Sequence, residues 1–247
     1  FAIEVDGKLL VDNDQTPPNV PAISATVRAN QTAGFSIVSY TGSGSAATIP
    51  HNLNAKPEFI IVKGRTNVDG WAVQHVSLGA TNRLRLNTTD TPSAIAGYWN
   101  NTEPSSSVFS VGSDDATNKN SVNYIAYCFT SIEGYSAIGS YTGNGSATDG
   151  TFVFTGFRPA FVMGKRTDAG SSDNWFMNDT SRLGYNPANL RLYPNLTNGE
   201  GSSTDVNMDI LSNGFKLYTT NTNSNGSGAT YVYVAFAENP FKTARAR

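Results

Sequence analysis

The chain has 247 residues, of which 15% are charged, with a formal charge of -2 and a pI near 5.7. Such a balance gives no broad basic field and excludes nucleic acid as a main partner, because phosphate binding needs clustered Lys and Arg. No apolar stretch approaches the roughly twenty residues of a membrane span, and the single cysteine, Cys128, excludes an intramolecular disulfide.

Glycine, serine, threonine and asparagine are abundant, and the apolar residues lean towards Phe, Tyr, Val and Ile. This is the palette of short strands joined by turns. Phe1-Ala2-Ile3-Glu4-Val5 and Lys8-Leu9-Leu10-Val11 flank Asp6-Gly7, a type I′ hairpin signal. A lone hairpin is barely stable in water, so it is expected to complete a sheet of a preceding domain or of a neighbouring chain. The start at Phe1, with no signal-like segment, fits a piece of a longer protein. Asp12 to Pro21, with three prolines, suits an extended linker, and Ala22 to Ala33 suits a strand or arm laid along the residues from 34 onward.

From residue 34 the chain says the same thing twice. Gly34-Phe35-Ser36-Ile37-Val38-Ser39-Tyr40-Thr41-Gly42-Ser43-Gly44-Ser45 returns as Gly134-Tyr135-Ser136-Ala137-Ile138-Gly139-Ser140-Tyr141-Thr142-Gly143-Asn144-Gly145-Ser146. Lys56 to Lys63 is echoed by Arg158 to Lys165, Trp71 by Trp175, and Leu84-Arg85-Leu86 by Leu190-Arg191-Leu192. Val108 to Val111 matches Gly214 to Leu217, and Tyr124 to Phe129 matches Tyr231 to Phe236. Blocks kept in order over about a hundred residues are a duplicated domain-sized unit, longer than a solenoid repeat. Phe59 to Val62 and Phe161 to Met163 are continuous apolar runs and read as strands covered on both faces. Arg83-Leu84-Arg85-Leu86 alternates, which sends the leucines to a core and the arginines outward. No helix of three turns can be written, although one helical turn fits Asn178 to Leu183. The expected fold is all-β: two tandem homologous β-sandwich-like repeats at 34–133 and 134–242, preceded by a hairpin and linker at 1–33 and followed by a basic tail at 243–247. Only Ser131-Ile132-Glu133-Gly134 joins the repeats, so they are expected to pack in fixed geometry.

Chemistry is harder to find. Gly42-Ser43-Gly44 and Gly143-Asn144-Gly145 resemble phosphate loops, but Pro50 and Phe152-Val153-Phe154 follow them where a helix is needed, so turns are preferred. His51 and His75 have no Cys or Asp at a ligand spacing and no counterpart in the second repeat. Glu103, Asp114, Asp115 and Asp173 are the candidates for an acid and base pair in glycoside cleavage. Asp114 and Asp115 with Asn118 and Asn120 could hold calcium through oxygen atoms, but the spacing matches no known loop and the second repeat offers only Asn221, Asn223 and Asn225, so ordinary Asx-turn loops are preferred. The duplicated positions of Trp71 and Trp175 argue for core roles, which leaves Trp99 as the one candidate for stacking on a sugar. Lys63, Arg65, Lys165 and Arg166 read as solvated strand-edge charges that discourage unwanted pairing.

The phrases at 34–45, 134–146, 155–162 and 210–217, with the ending Ala235-Phe236-Ala237-Glu238-Asn239-Pro240-Phe241-Lys242, resemble a duplicated domain family of unknown activity. That family occurs in large virion proteins of tailed phages, especially marine and cyanobacterial ones. Ile3 to Asp12 resembles the segment that closes a laminin-G-like domain just upstream in such proteins. The resemblance implies a non-enzymatic tail-fibre, tail-associated or capsid-decorating component on the virion surface, without cofactor. It also implies partners among other copies of itself, as in the trimers common for fibres, among other virion proteins, and on the host surface. A module binding host polysaccharide and a polysaccharide depolymerase remain the alternatives.

Overall fold

The computed structural model describes residues 3–5, 8–10, 20–168, 173–182, 184–202 and 207–239. β1 (Ile3–Val5) and β2 (Lys8–Leu10) pair antiparallel, with Glu4 opposite Leu9, and form a sheet of their own. The expected linker, up to residue 19, and the basic tail lie outside the described residues. β3 (Ala25–Asn30) runs antiparallel to β4 (Phe35–Thr41) in a hairpin turned at residues 31–34. The strand or arm expected over Ala22 to Ala33 is thus β3 laid along β4, and the boundary expected between 33 and 34 falls inside that hairpin.

The first half continues through β5 (Ala47–Pro50), β6 (Phe59–Gly64), β7 (Ala72–His75), β8 (Asn82–Arg85), β9 (Ser93–Ala94), β10 (Val108–Val111) and β11 (Asn123–Phe129). The second holds β12 (Ser136–Thr142), β13 (Phe152–Phe154), β14 (Pro159–Arg166), β15 (Phe176–Asp179), β16 (Leu190–Leu192), β17 (Gly201–Ser202), β18 (Met208–Leu211), β19 (Gly214–Leu217) and β20 (Thr230–Ala237). One large sheet runs β3-β4-β11-β6-β7-β8-β9 and the other β12-β20-β14-β15-β16-β17. From β4 and from β12 onward the same strand order appears in both. Smaller sheets, β10-β5 and β13-β19-β18, cover one face of each. Among the described residues helix is confined to single turns, notably α1 (Ala96–Trp99) and α2 (Asp115–Asn118).

Alternation along each strand explains three cores in four layers. Ile60 and Val62 face the core shared with β5 and β10, while Phe59 and Ile61 face the other large sheet. Val162 likewise faces β13 and β19, and Phe161 and Met163 face the first half. Both apolar runs are thus covered on both faces, as their continuity implies. Across the middle layer the Trp175 Nε1–H donates to the Arg85 carbonyl at 2.9 Å. The His75 Nε2 lies 3.2 Å from the Tyr233 carbonyl. Its Nδ1 accepts from the Ser77 amide, so Nε2 carries the hydrogen and donates. The Phe129 and Phe236 rings meet 5.8 Å apart across the same layer.

Two local expectations change. Asn178 and Asp179 end β15 and a hydrogen-bonded turn follows, so no helical turn forms there; Leu183 lies outside the described residues. Leu84 is buried as expected, yet its arginine neighbours do not point into open water. The Arg83 guanidinium sits 5.3 Å above the Tyr98 ring, and Arg85 donates to the Tyr98 hydroxyl at 3.1 Å. Tyr98 offers one cation its ring face and the other its hydroxyl, neither of which alternation alone can predict.

Both histidines are buried, and burial lowers each imidazole from about 6.5 to about 4 against the smaller opposing effect of a carbonyl partner, Ser105 for His51 and Tyr233 for His75. The fold holds them neutral while the unfolded chain takes up protons near pH 6.5. Their contribution to stability is complete above that pH and is lost as pH falls towards 4, up to about 3 kcal/mol for each. Urea midpoints are expected to fall between pH 7 and pH 4.5, and His75→Gln is expected to flatten that slope.

Candidate functional site

The most heavily duplicated sequence, Tyr-Thr-Gly-x-Gly-Ser, builds the same structure twice. In the first half Gly42 donates its amide to the Val122 carbonyl and Gly44 to that of Asn118, both at 2.8 Å. The Asn118 Oδ1 accepts from the Ser43 amide at 2.8 Å, and its Nδ2 donates to the carbonyls of Ser45 (2.6 Å) and Gly112 (2.7 Å). In the second half Gly143 and Gly145 donate to Ala229 and Asn225. The Asn225 Oδ1 accepts from Asn144 at 3.1 Å, and its Nδ2 donates to Thr219 at 2.8 Å. Close approach requires the glycines: a Cβ on Gly42 would lie 2.2 Å from the Lys119 carbonyl, and one on Gly143 2.4 Å from that of Gly226. The amides that would cradle an anion are committed internally, in keeping with turns rather than phosphate loops.

Stacked tyrosines seat these loops. Tyr40 lies on Tyr124 with centroids 5.2 Å apart, and Tyr141 on Tyr231 at 4.8 Å. The Tyr124 hydroxyl donates to the Asp115 carbonyl and accepts from the Lys119 amide. The Tyr231 hydroxyl donates to Thr222 and accepts from Gly226 in the same manner. Burial raises Tyr124 and Tyr231 to about 12 and Tyr40 and Tyr141 well above 10. All four phenols therefore stay protonated as fixed donors.

The remaining candidates fall in separate places. Trp99 is 0% exposed in the first core, on α1 and not in a polar loop. It cannot offer a face to a sugar, and this corrects its reading as a stacking residue. Glycine and asparagine around it suggested a loop, whereas the Gly112 amide bonds to Tyr98 and the helical turn folds the indole inward. Trp175 is buried in the middle core, while Trp71 is only half-buried, so their core role is not shared. Their amides are nonetheless held alike, by Asn195 Oδ1 and Asn87 Oδ1.

Each of the four candidate carboxylates is engaged, Asp173 by an arginine that it shares with Asp168. Glu103 bonds Lys56 and the Ala80 amide, Asp114 caps α2 through the Ala116 amide, Asp115 pairs with Lys119, and Asp173 pairs with Arg166. Of the calcium candidates, Asp114 and Asp115 are engaged by the Ala116 amide and Lys119, Asn118 is turned inward to its clamp and Asn120 is exposed. Asn221 caps the Asn223 amide as an Asx turn does. Among the described residues no group of three His, Cys, Asp or Glu could hold a metal ion. Cys128 is buried, and burial raises its thiol to about 12.

Lys165 is not a solvated edge charge. It lies on β14, between β20 and β15, and is 1% exposed. Its ammonium donates to the Arg166 carbonyl at 2.9 Å. Burial lowers it to about 8, against the opposing pull of Asp173 and Asp90. Lys63, likewise interior to its sheet, donates to the carbonyls of Gly64 and Asn67. Both lysines sit on the middle-layer face, a placement visible only once that layer is known.

The architecture defines an all-β protein whose repeated polar loops are internally bonded. Residues 15–240 match the family described as a domain of unknown function (DUF7483), and the chain belongs to that family. No curated protein and no solved structure matches it. Among the described residues no helix is long and apolar enough to cross a membrane.

Asn225→Ala or Asn118→Ala strips partners from several buried backbone groups and is expected to lower unfolding free energy by about 2–4 kcal/mol in denaturant titrations. Lys165→Met removes a buried cation and is expected to stabilise by about 1–3 kcal/mol at pH 7. Because the folded chain releases the Lys165 proton near pH 8 and the unfolded chain near 10.5, the wild type gains stability over that window. The advantage of the Met variant should shrink accordingly.

Proposed function

We propose that this chain is a non-enzymatic structural component of a tailed-phage virion, a tail-fibre, tail-associated or capsid-decorating protein exposed on the particle. The observation that carries the reading is the direct seating of one large sheet on the other. Phe59, Val73 and Leu84 pack with Met163, Trp175, Val232 and Val234 in one apolar layer, and hydrogen bonds cross it. A rigid body of this kind, with its repeated polar motifs turned to internal bonding, suits scaffolding that must keep its shape outside a cell. The resemblance of its repeated phrases to phage virion proteins supports the same reading. The sugar-binding alternative loses Trp99, and the four carboxylates considered for the depolymerase alternative are engaged by Lys56, the Ala116 amide, Lys119 and Arg166.

Mass spectrometry of purified particles should find the chain at a copy number set by the symmetry of one particle substructure. Its absence from intact virions would remove the proposal. Turnover of host capsule or lipopolysaccharide, abolished by changing one carboxylate, would replace it with the depolymerase reading.

A further inference from the structure

We propose that the free edge of β13 is a self-association site, pairing antiparallel with the same edge of a second copy about a dyad at Val153. β13 ends the β13-β19-β18 sheet, and no described strand lies on its other side. The Leu217 amide bonds the Thr151 carbonyl and the Thr155 amide bonds the Asn213 carbonyl, so residues 151, 153 and 155 address β19. By alternation the amides and carbonyls of Phe152 and Phe154 point to the open edge. Their rings are 44% and 65% exposed, while Val153 enters the core.

The first half shows what this position looks like when it is protected. Val153 corresponds to Ile49, since each is the buried central residue of its edge strand, so Phe152 corresponds to Thr48 and Phe154 to Pro50. There the Thr48 carbonyl is covered, accepting from the Ala22 amide at 2.9 Å and the Ile23 amide at 3.0 Å. Pro50 has no amide to offer, a usual means of blocking an edge. The second half has neither device: an amide-bearing phenylalanine stands where the proline is, and no described segment takes the place of residues 22 and 23.

The edge is self-complementary. An antiparallel dyad at Val153 sets Phe152 of one copy opposite Phe154 of the other, and both direct their amides and carbonyls across the seam. Aromatic pairs directly opposite one another on adjacent strands are favourable. Lys216, the neighbour of Phe152 on β19, is paired with Asp149 at 2.9 Å and so adds no uncompensated charge to repel a second copy.

Sedimentation equilibrium of the full chain up to about 1 mM should show a monomer–dimer equilibrium. Amide exchange at residues 152 and 154 should slow as concentration rises. Phe154→Pro, which copies Pro50, and Phe152→Thr with Phe154→Thr, which keeps the backbone and removes the rings, should each weaken association at least tenfold. Their unfolding midpoints should stay near that of the wild type. A wild-type chain that stays monomeric throughout, its edge left to a strand from another protein, would overturn the proposal. So would a dimer that both folded variants keep, or one in which the amides at 152 and 154 gain no protection.

Discussion

Two large sheets share one buried apolar layer, and most of what is unusual in this chain stems from that sharing. A sheet with one wet face needs apolar residues only at alternate positions. Here each large sheet is covered on one side by its own small sheet and on the other by its counterpart, so both faces of β6, β14 and β20 are interior. Continuous apolar runs become necessary, and any polar group placed in the layer must find its partner within it. The Trp175 indole does so at the Arg85 carbonyl and His75 at that of Tyr233. Each links one half of the chain to the other.

The same need for internal partners explains the repeated loops. Gly42 and Gly143 let the backbone pass against a neighbouring carbonyl at a distance no Cβ would permit. Asn118 and Asn225 then satisfy the amides and carbonyls stranded by the turn, and the stacked tyrosines fix the loop above the core. A motif that looks like ligand recognition in sequence is a self-contained clamp. Its recurrence reflects a packing requirement met twice.

The halves differ most at their open sides. In the first, residues 22–30 add β3 to the large sheet and cover the edge of β5, with Ile23 entering the core. Among the described residues the second has no counterpart of β3. There Tyr233, opposite Gly139 in the register, stands where the first half pairs Ala126 with Val38. Its ring occupies the space a side chain at 139 would need, since a Cβ there would lie 3.1 Å from it. A larger side chain from the neighbouring strand thus fills part of the core. No described strand covers the backbone edge of β13.

The all-β class, most strand positions and the doubly covered faces of β6 and β14 were determined by the sequence by itself. Alternation, turn residues and apolar continuity are local signals, and strands obey them. The middle layer and the environments of Trp99, Lys165 and the arginines of β8 were settled only by the tertiary structure. Each depends on which surface arrives from elsewhere in the chain. A tryptophan flanked by glycine and asparagine reads as exposed until one helical turn folds it inward. A lysine after an apolar run reads as an edge charge until strands are laid on either side of it. Local pattern sets the direction in which a side chain points, whereas burial depends on what the folded chain brings to meet it.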